Sequence, residues 1–160
     1  MKKTVTAVLD VGIIQKRLIL FDDNFEVVDI TTDKLAKTKD DDGFEGDDID
    51  LINQWALDTW NKLITNDQYH VKALNFSTYG ATLMHIDSEG NTLTPLYNYL
   101  KPLDSSLEQQ FYGRYGEKVQ FALETCSPPL GMLNSGLQMY WLKYQKPEVY
   151  KKIKHIRVSD

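Results

Sequence analysis

Three residues near the N-terminus have the types and spacing to handle a charged ligand. Asp10 follows an apolar run, Gly12 suits a tight turn, and Arg17 opens a second apolar run. A tight turn aims backbone amides at phosphate oxygens, an arginine adds charge, and a carboxylate holds Mg²⁺ through water. Taken alone, the pattern equally suits an ordinary β-turn. Ile13 and Ile14 fill the turn itself. They either lend their amides to an anion or pack against a neighbour and make the hairpin structural.

The elements that must position these residues follow from the apolar pattern. Residues 5–9, 18–21 and 26–30 read as strands, with turn residues Asp22, Asp23 and Asn24 between the second and third. That is an antiparallel meander. The first strand alternates little, which predicts burial on both faces in the middle of a sheet. Ile52, Ala56, Trp60 and Leu63 recur at helical spacing, so residues 50–64 should form an amphipathic helix on that sheet. Further strands are expected over "VKALNFST", "ATLMHID" and "TLTPLYNYL", with a turn at Gly80 and a hairpin turn at residues 88–91. Asp104 should cap a helix through Gln110, and a short helix should follow at 118–123. Leu133, Leu137, Trp141 and Tyr144 predict a longer helix ending before Pro147, which opens a short one. "HIRVSD" is extended. The fold class is therefore α/β, a mixed sheet with flanking helices in one domain over residues 1–160.

Other candidate chemistry reduces to structural roles. Seven carboxylates lie between Asp40 and Asp50, but with Gly43 in the glycine position a calcium loop would begin at Thr38 and end at Ile49. A solvated loop with Asp47 or Asp48 capping the next helix is the better account. His85 has no nearby second histidine and reads as packed, and Cys126 reads as a small buried thiol. One cysteine excludes an intrachain disulfide and fits a cytoplasmic setting. The net charge of −5 disfavours nucleic acid, and the basic cluster 151–157 reads as a solvated face. No window approaches a membrane span. A two-metal nuclease needs converging carboxylates, and beyond Asp10 the 50–64 helix offers only Asp50 and Asp58.

The frame Asp10-x-Gly12, Arg17 and Leu20-Phe21-Asp22 resembles the first phosphate motif of the FGGY carbohydrate kinases. "NFSTYGATLMHIDSEGNTLTPLYNYL" resembles that family's sugar-contacting loop and hairpin. "GMLNSGLQMYWLKYQKPEVYKKIKHIRVSD" resembles its tryptophan-bearing helix, Pro-Glu helix and a strand closing on aspartate. The three blocks keep the family's order across nearly the whole chain. "STYG" is similar to the rhamnulokinase-type pattern, with Tyr79 in place of tryptophan between Thr78 and Gly80. The resemblance implies a ribonuclease-H-like, actin-like ATPase domain that phosphorylates a ketose or related sugar with ATP and Mg²⁺. It implies Asp10 as the metal organiser through water, with Gly12, Ile13, Ile14 and Arg17 at the phosphates. Thr78, Tyr79 and Gly80 would lie at the sugar, and a homodimer stays open.

Two departures temper this. The family usually carries hydroxyls after the glycine, where Ile13 and Ile14 stand, and each lost charge-assisted bond costs about 1.5–3 kcal/mol. The family's catalytic base lies beyond Asp160, so the chain is expected to be an incomplete N-terminal domain that is not competent alone. The alternative is a non-catalytic member of the same fold that binds a sugar or a protein.

Overall fold

A computed structural model describes residues 2–158. The chain divides into two compact units, residues 2–38 with 47–79 and residues 39–46 with 80–158. The first unit is built on a four-stranded sheet of β1 (Lys3–Val11), β2 (Lys16–Phe21), β3 (Val27–Asp33) and β6 (Tyr69–Thr78), in the order β3-β2-β1-β6. The expected meander is present: β1–β2 and β2–β3 are antiparallel, and β6 joins the other edge of β1 in parallel. The sheet is thus mixed. Two short strands, β4 (Lys37–Lys39) and β5 (Glu45–Asp47), pair as a separate ribbon.

β1 is central, as its apolar character predicts, but only one face is sealed. Val5, Ala7, Leu9 and Val11 are buried, whereas Thr4, Thr6, Val8 and Asp10 on the other face are half-buried. The sealed face packs against α1 (Ile49–Ile64), whose Trp55 and Leu63 are its buried residues. Each fully buried Val or Leu there contributes about 1.5–3 kcal/mol. Asp48, not Asp47, caps this helix by accepting from the N–H groups of Asp50 and Leu51. Trp55 is oriented by its Nε1–H, which donates to Asp33 at 2.9 Å.

In the second unit β7 (Leu83–Ile86) pairs antiparallel with β8 (His155–Val158), and the helices are α2 (Ser105–Tyr115), α3 (Lys118–Thr125), α4 (Ser135–Gln145) and α5 (Pro147–Tyr150). Its core joins Tyr97, Leu107, Met132, Tyr140, Trp141 and Leu142. Asp104 caps α2 as expected, though the helix runs past Gln110 to Tyr115. Leu133 falls in a preceding 3₁₀ turn rather than in α4. The strand expected at "TLTPLYNYL" shrinks to one bridge between Ile86 and Thr92, because Pro95 cannot donate to a ladder. The closing aspartate, Asp160, lies outside the described residues. No helix among them is long and apolar enough to cross a membrane.

Two further expectations change. Cys126 is exposed, not buried: it ends α3, a helix with no buried residue, in a left-handed conformation. The acidic run is not simply solvated either, since Asp40 and Asp47 are buried. His85 is packed as expected, with Nδ1 2.8 Å from the Thr94 hydroxyl. Burial lowers its pKa from 6.5 to about 4.

Candidate functional site

The β1–β2 hairpin places Asp10 and Arg17 directly opposite each other. Opposed residues of an antiparallel pair share a face, so the side chains meet. Arg17 donates from Nε at 2.8 Å and from its Nη2 at 2.6 Å, both to Asp10 Oδ2. Asp10 Oδ1 faces no protein donor among the described residues. The connecting turn needs Gly12 because a Cβ there would lie 2.8 Å from the Gln15 carbonyl. Ile13 and Ile14 do not pack away: they are 37% and 72% exposed.

Parallel pairing brings the end of β6 beside this turn. Val11 is in register with Thr78, and the Tyr79 N–H donates to the Val11 carbonyl at 3.3 Å. Asp10, Gly12, Ile13, Ile14, Arg17, Thr78 and Tyr79 thus gather at one end of the sheet, a consequence of β1 and β6 running the same way. The Thr78 hydroxyl is buried without a protein partner among the described residues. Gly80 opens the second unit's longer segment, and apart from its chain neighbours no heavy atom of the described residues lies within 4 Å of where a Cβ would stand.

Below the turn sits a cluster that sequence reasoning missed. Lys16 is 2% exposed, and its Nζ donates to the Gly12 carbonyl at 2.8 Å and to Asp47 Oδ1 at 3.2 Å. Lys37 reaches the Ile13 carbonyl at 2.9 Å and the same Asp47 oxygen at 2.8 Å. Tyr79 donates its hydroxyl to Asp47 Oδ2 at 2.5 Å, and Lys16 lies over its ring. Burial raises the Asp47 pKa, but the Lys37 and Tyr79 hydrogen bonds and the two ammonium charges outweigh it and hold the carboxyl below its ordinary value. The signal was strand parity: Lys16 shares a face with Leu18 and Leu20, so it points inward, while Arg17 points to the Asp10 face.

Asp40, Asp41 and Asp42 bring carboxylate oxygens within 4.8 Å of one another in the second unit. Lys101 and Lys146 bridge them, with Lys101 on Asp40 at 2.7 Å and Lys146 on Asp41 at 2.7 Å. Ammonium groups fill the role a cation would take.

The family profile for the N-terminal domain of the FGGY family of carbohydrate kinases matches residues 5–160. The chain belongs to the FGGY family. Comparison with curated protein sequences gives no match. Among solved structures, a carbohydrate kinase from Novosphingobium aromaticivorans superposes with a TM-score of 0.83 at 19% identity, over 99% of this chain and 32% of that one. A ligand-bound xylulose kinase from Lactobacillus acidophilus gives 0.75 at 19% identity, over 96% and 31%. Plasmodium falciparum glycerol kinase with ADP gives 0.74 at 17%, over 94% and 31%. At these identities the likeness shows the FGGY fold. The chain spans about a third of the length of these structures.

Proposed function

We propose that this chain is the N-terminal portion of an ATP-dependent sugar kinase, supplying the first phosphate hairpin and part of the sugar site. The observation that carries the reading is the Asp10–Gly12–Arg17 constellation at the end of the central strand, in a chain of the FGGY family. A mixed sheet led by an antiparallel meander supports a ribonuclease-H-like, actin-like assignment. Residues 1–160 are read as an incomplete N-terminal domain of a two-domain kinase, with the general base outside this chain.

The residues fit a nucleotide with Mg²⁺. Asp10 keeps Oδ1 clear of protein donors among the described residues, which suits a metal held through water. Bound there, Mg²⁺ would neutralise charge on the phosphates during transfer. Arg17, fixed by Asp10, presents its remaining N–H groups toward terminal phosphates. Gly12 permits the turn, and Ile13 and Ile14 contribute backbone N–H groups. Thr78, Tyr79 and Gly80 are assigned to the sugar, and the buried Thr78 hydroxyl lacking a protein partner among the described residues supports this. The acceptor class is a ketose or related sugar. A rhamnulokinase-type preference rests on Thr78 and Gly80 alone. A cytoplasmic setting, no nucleic-acid partner and a homodimer complete the proposal.

The exposed Ile13 and Ile14 favour one second reading, a non-catalytic member of the fold that binds a sugar or a protein. Acceptor-dependent ADP release by the two-domain protein, measured with ketoses and polyols and lost in Asp10→Ala, supports the kinase. Absence of any thermal stabilisation by millimolar Mg-ATP sinks it in favour of the second reading.

A further inference from the structure

We infer that Asp47, acting through Lys16 and Lys37, is a positioning residue that fixes the turn after β1 with the N–H groups of Ile13 and Ile14 presented to a phosphate anion. The inference rests on the reading of that turn as a phosphate site. Lys16 holds the Gly12 carbonyl and Lys37 holds the Ile13 carbonyl, and both ammonium groups are anchored on one oxygen of Asp47. No cis peptide bond occurs among the described residues. Across a trans peptide the carbonyl and the following N–H point in opposite directions. Drawing the Gly12 carbonyl onto Lys16 therefore turns the Ile13 N–H the other way. Drawing the Ile13 carbonyl onto Lys37 does the same for the Ile14 N–H. Neither N–H meets a protein acceptor among the described residues.

Successive N–H groups facing one side form an anion-binding concavity. Its donors are main-chain groups, so it survives the absence of hydroxyls at Ile13 and Ile14. The cluster is tied down at its far side as well. Tyr79 occupies Asp47 Oδ2 and leaves Oδ1 for both lysines. Burying a lysine is costly, and Lys16 is accommodated by a carbonyl, a carboxylate and a ring face. The charge of the cluster goes into the shape of the turn, which lowers the ordering cost an anion meets on binding.

Positioning and simple electrostatics predict opposite signs for Asp47→Asn. The substitution removes a negative charge from beside the turn, so an electrostatic role alone makes anions bind tighter, whereas a positioning role makes them bind weaker. The test is nuclear magnetic resonance titration of the isotope-labelled chain with tripolyphosphate and, separately, with Mg-ATP, following the Ile13 and Ile14 amides. Both amides are expected to shift in the wild type, and Asp47→Asn to raise the tripolyphosphate Kd by about tenfold. An unchanged or lower Kd overturns the inference and leaves the phosphate reading standing. No response in the wild type to either probe overturns that reading, and the inference with it. If Asp47→Asn gives no folded spectrum, Lys37→Met decides without any anion. Order parameters at Ile13 and Ile14 should then fall from about 0.85 to below about 0.6, and unchanged order overturns the inference.

Discussion

Asp47 and Asp40 come from one acidic run, both are buried, and both are held by lysines, yet their lysines finish on different partners. Those of Asp47 finish on the carbonyls of Gly12 and Ile13, in a turn with exposed side chains. Lys101, on Asp40, lies over the rings of Tyr97 and Trp141 in the core of the second unit. Asp40 itself closes its own loop by accepting from the N–H groups of Asp42 and Phe44. The same ion-pair chemistry thus shapes a presented turn in one place and fastens a loop onto an aromatic core in the other. What an acid–lysine pair does depends on what the lysine touches next.

The largest effect that would break this comparison is on stability at Asp47. Asp47→Ala leaves Lys16 buried with no counter-charge, and removing one partner of a buried pair costs about 3–5 kcal/mol. Denaturant unfolding measures it. A loss below about 1 kcal/mol would mean that the cluster behaves as an exposed ion pair and does not hold the turn.

Acid pH separates the two units next. His85 has a folded pKa of about 4 against an ordinary 6.5, because burial disfavours its charged form. The unfolded chain therefore binds more protons between these values. Stability from His85 is complete above pH 6.5 and is lost as pH falls toward 4, by about 3 kcal/mol in all. Asp47 has a lowered folded pKa, so its contribution is present above the ordinary carboxylate value of 3.8 and is lost below it. The histidine loss should thus begin at higher pH than the Asp47 loss, and most of it falls between pH 6.5 and 4 before the two overlap. His85→Gln should flatten the upper window only, read from denaturation midpoints across pH.

Lys101→Met comes third. Asp40 keeps two backbone donors, so the expected cost is about 3 kcal/mol, the lower end for removing one partner of a buried pair. The Ile13 and Ile14 amide resonances should stay in place. Movement of those resonances would erase the distinction between a loop fastener and a turn shaper.

Much of this architecture is legible in the sequence where side chains repeat. Short apolar runs separated by Asp-Asp-Asn give the meander, and Ile52, Ala56, Trp60 and Leu63 give α1. Asp104 is legible as a cap because an aspartate before a helix has one strong local use. The β4–β5 ribbon is not, since Lys37–Lys39 and Glu45–Asp47 hold no apolar alternation and the acids between them look solvated. Asp47 is illegible for a related reason. Its partners Lys16, Lys37 and Tyr79 are far apart in sequence, and nothing local distinguishes it from Asp48. Lys16 was within reach, because strand parity places it with Leu18 and Leu20, but lysine beside a turn reads as solvated unless parity is followed.

The smallest change tests the turn itself. Ile14 is 72% exposed, so Ile14→Thr should alter stability by less than about 0.5 kcal/mol. A hydroxyl there adds one donor to an anion, and at an exposed tip the gain falls at the low end for charge-assisted bonds, about 1.5 kcal/mol, which is roughly tenfold in the tripolyphosphate Kd. The informative number is the same substitution made on Asp47→Asn. A hydroxyl on a fixed turn meets the anion without further ordering, whereas a loosened turn must first be ordered. If Asp47 shapes the turn, the tenfold gain should shrink in the double variant, giving a coupling above about 0.5 kcal/mol in the cycle. Additive effects would mean that the introduced hydroxyl and Asp47 act on the anion independently, and the turn would owe its shape to Gly12 and the β1–β2 ladder alone.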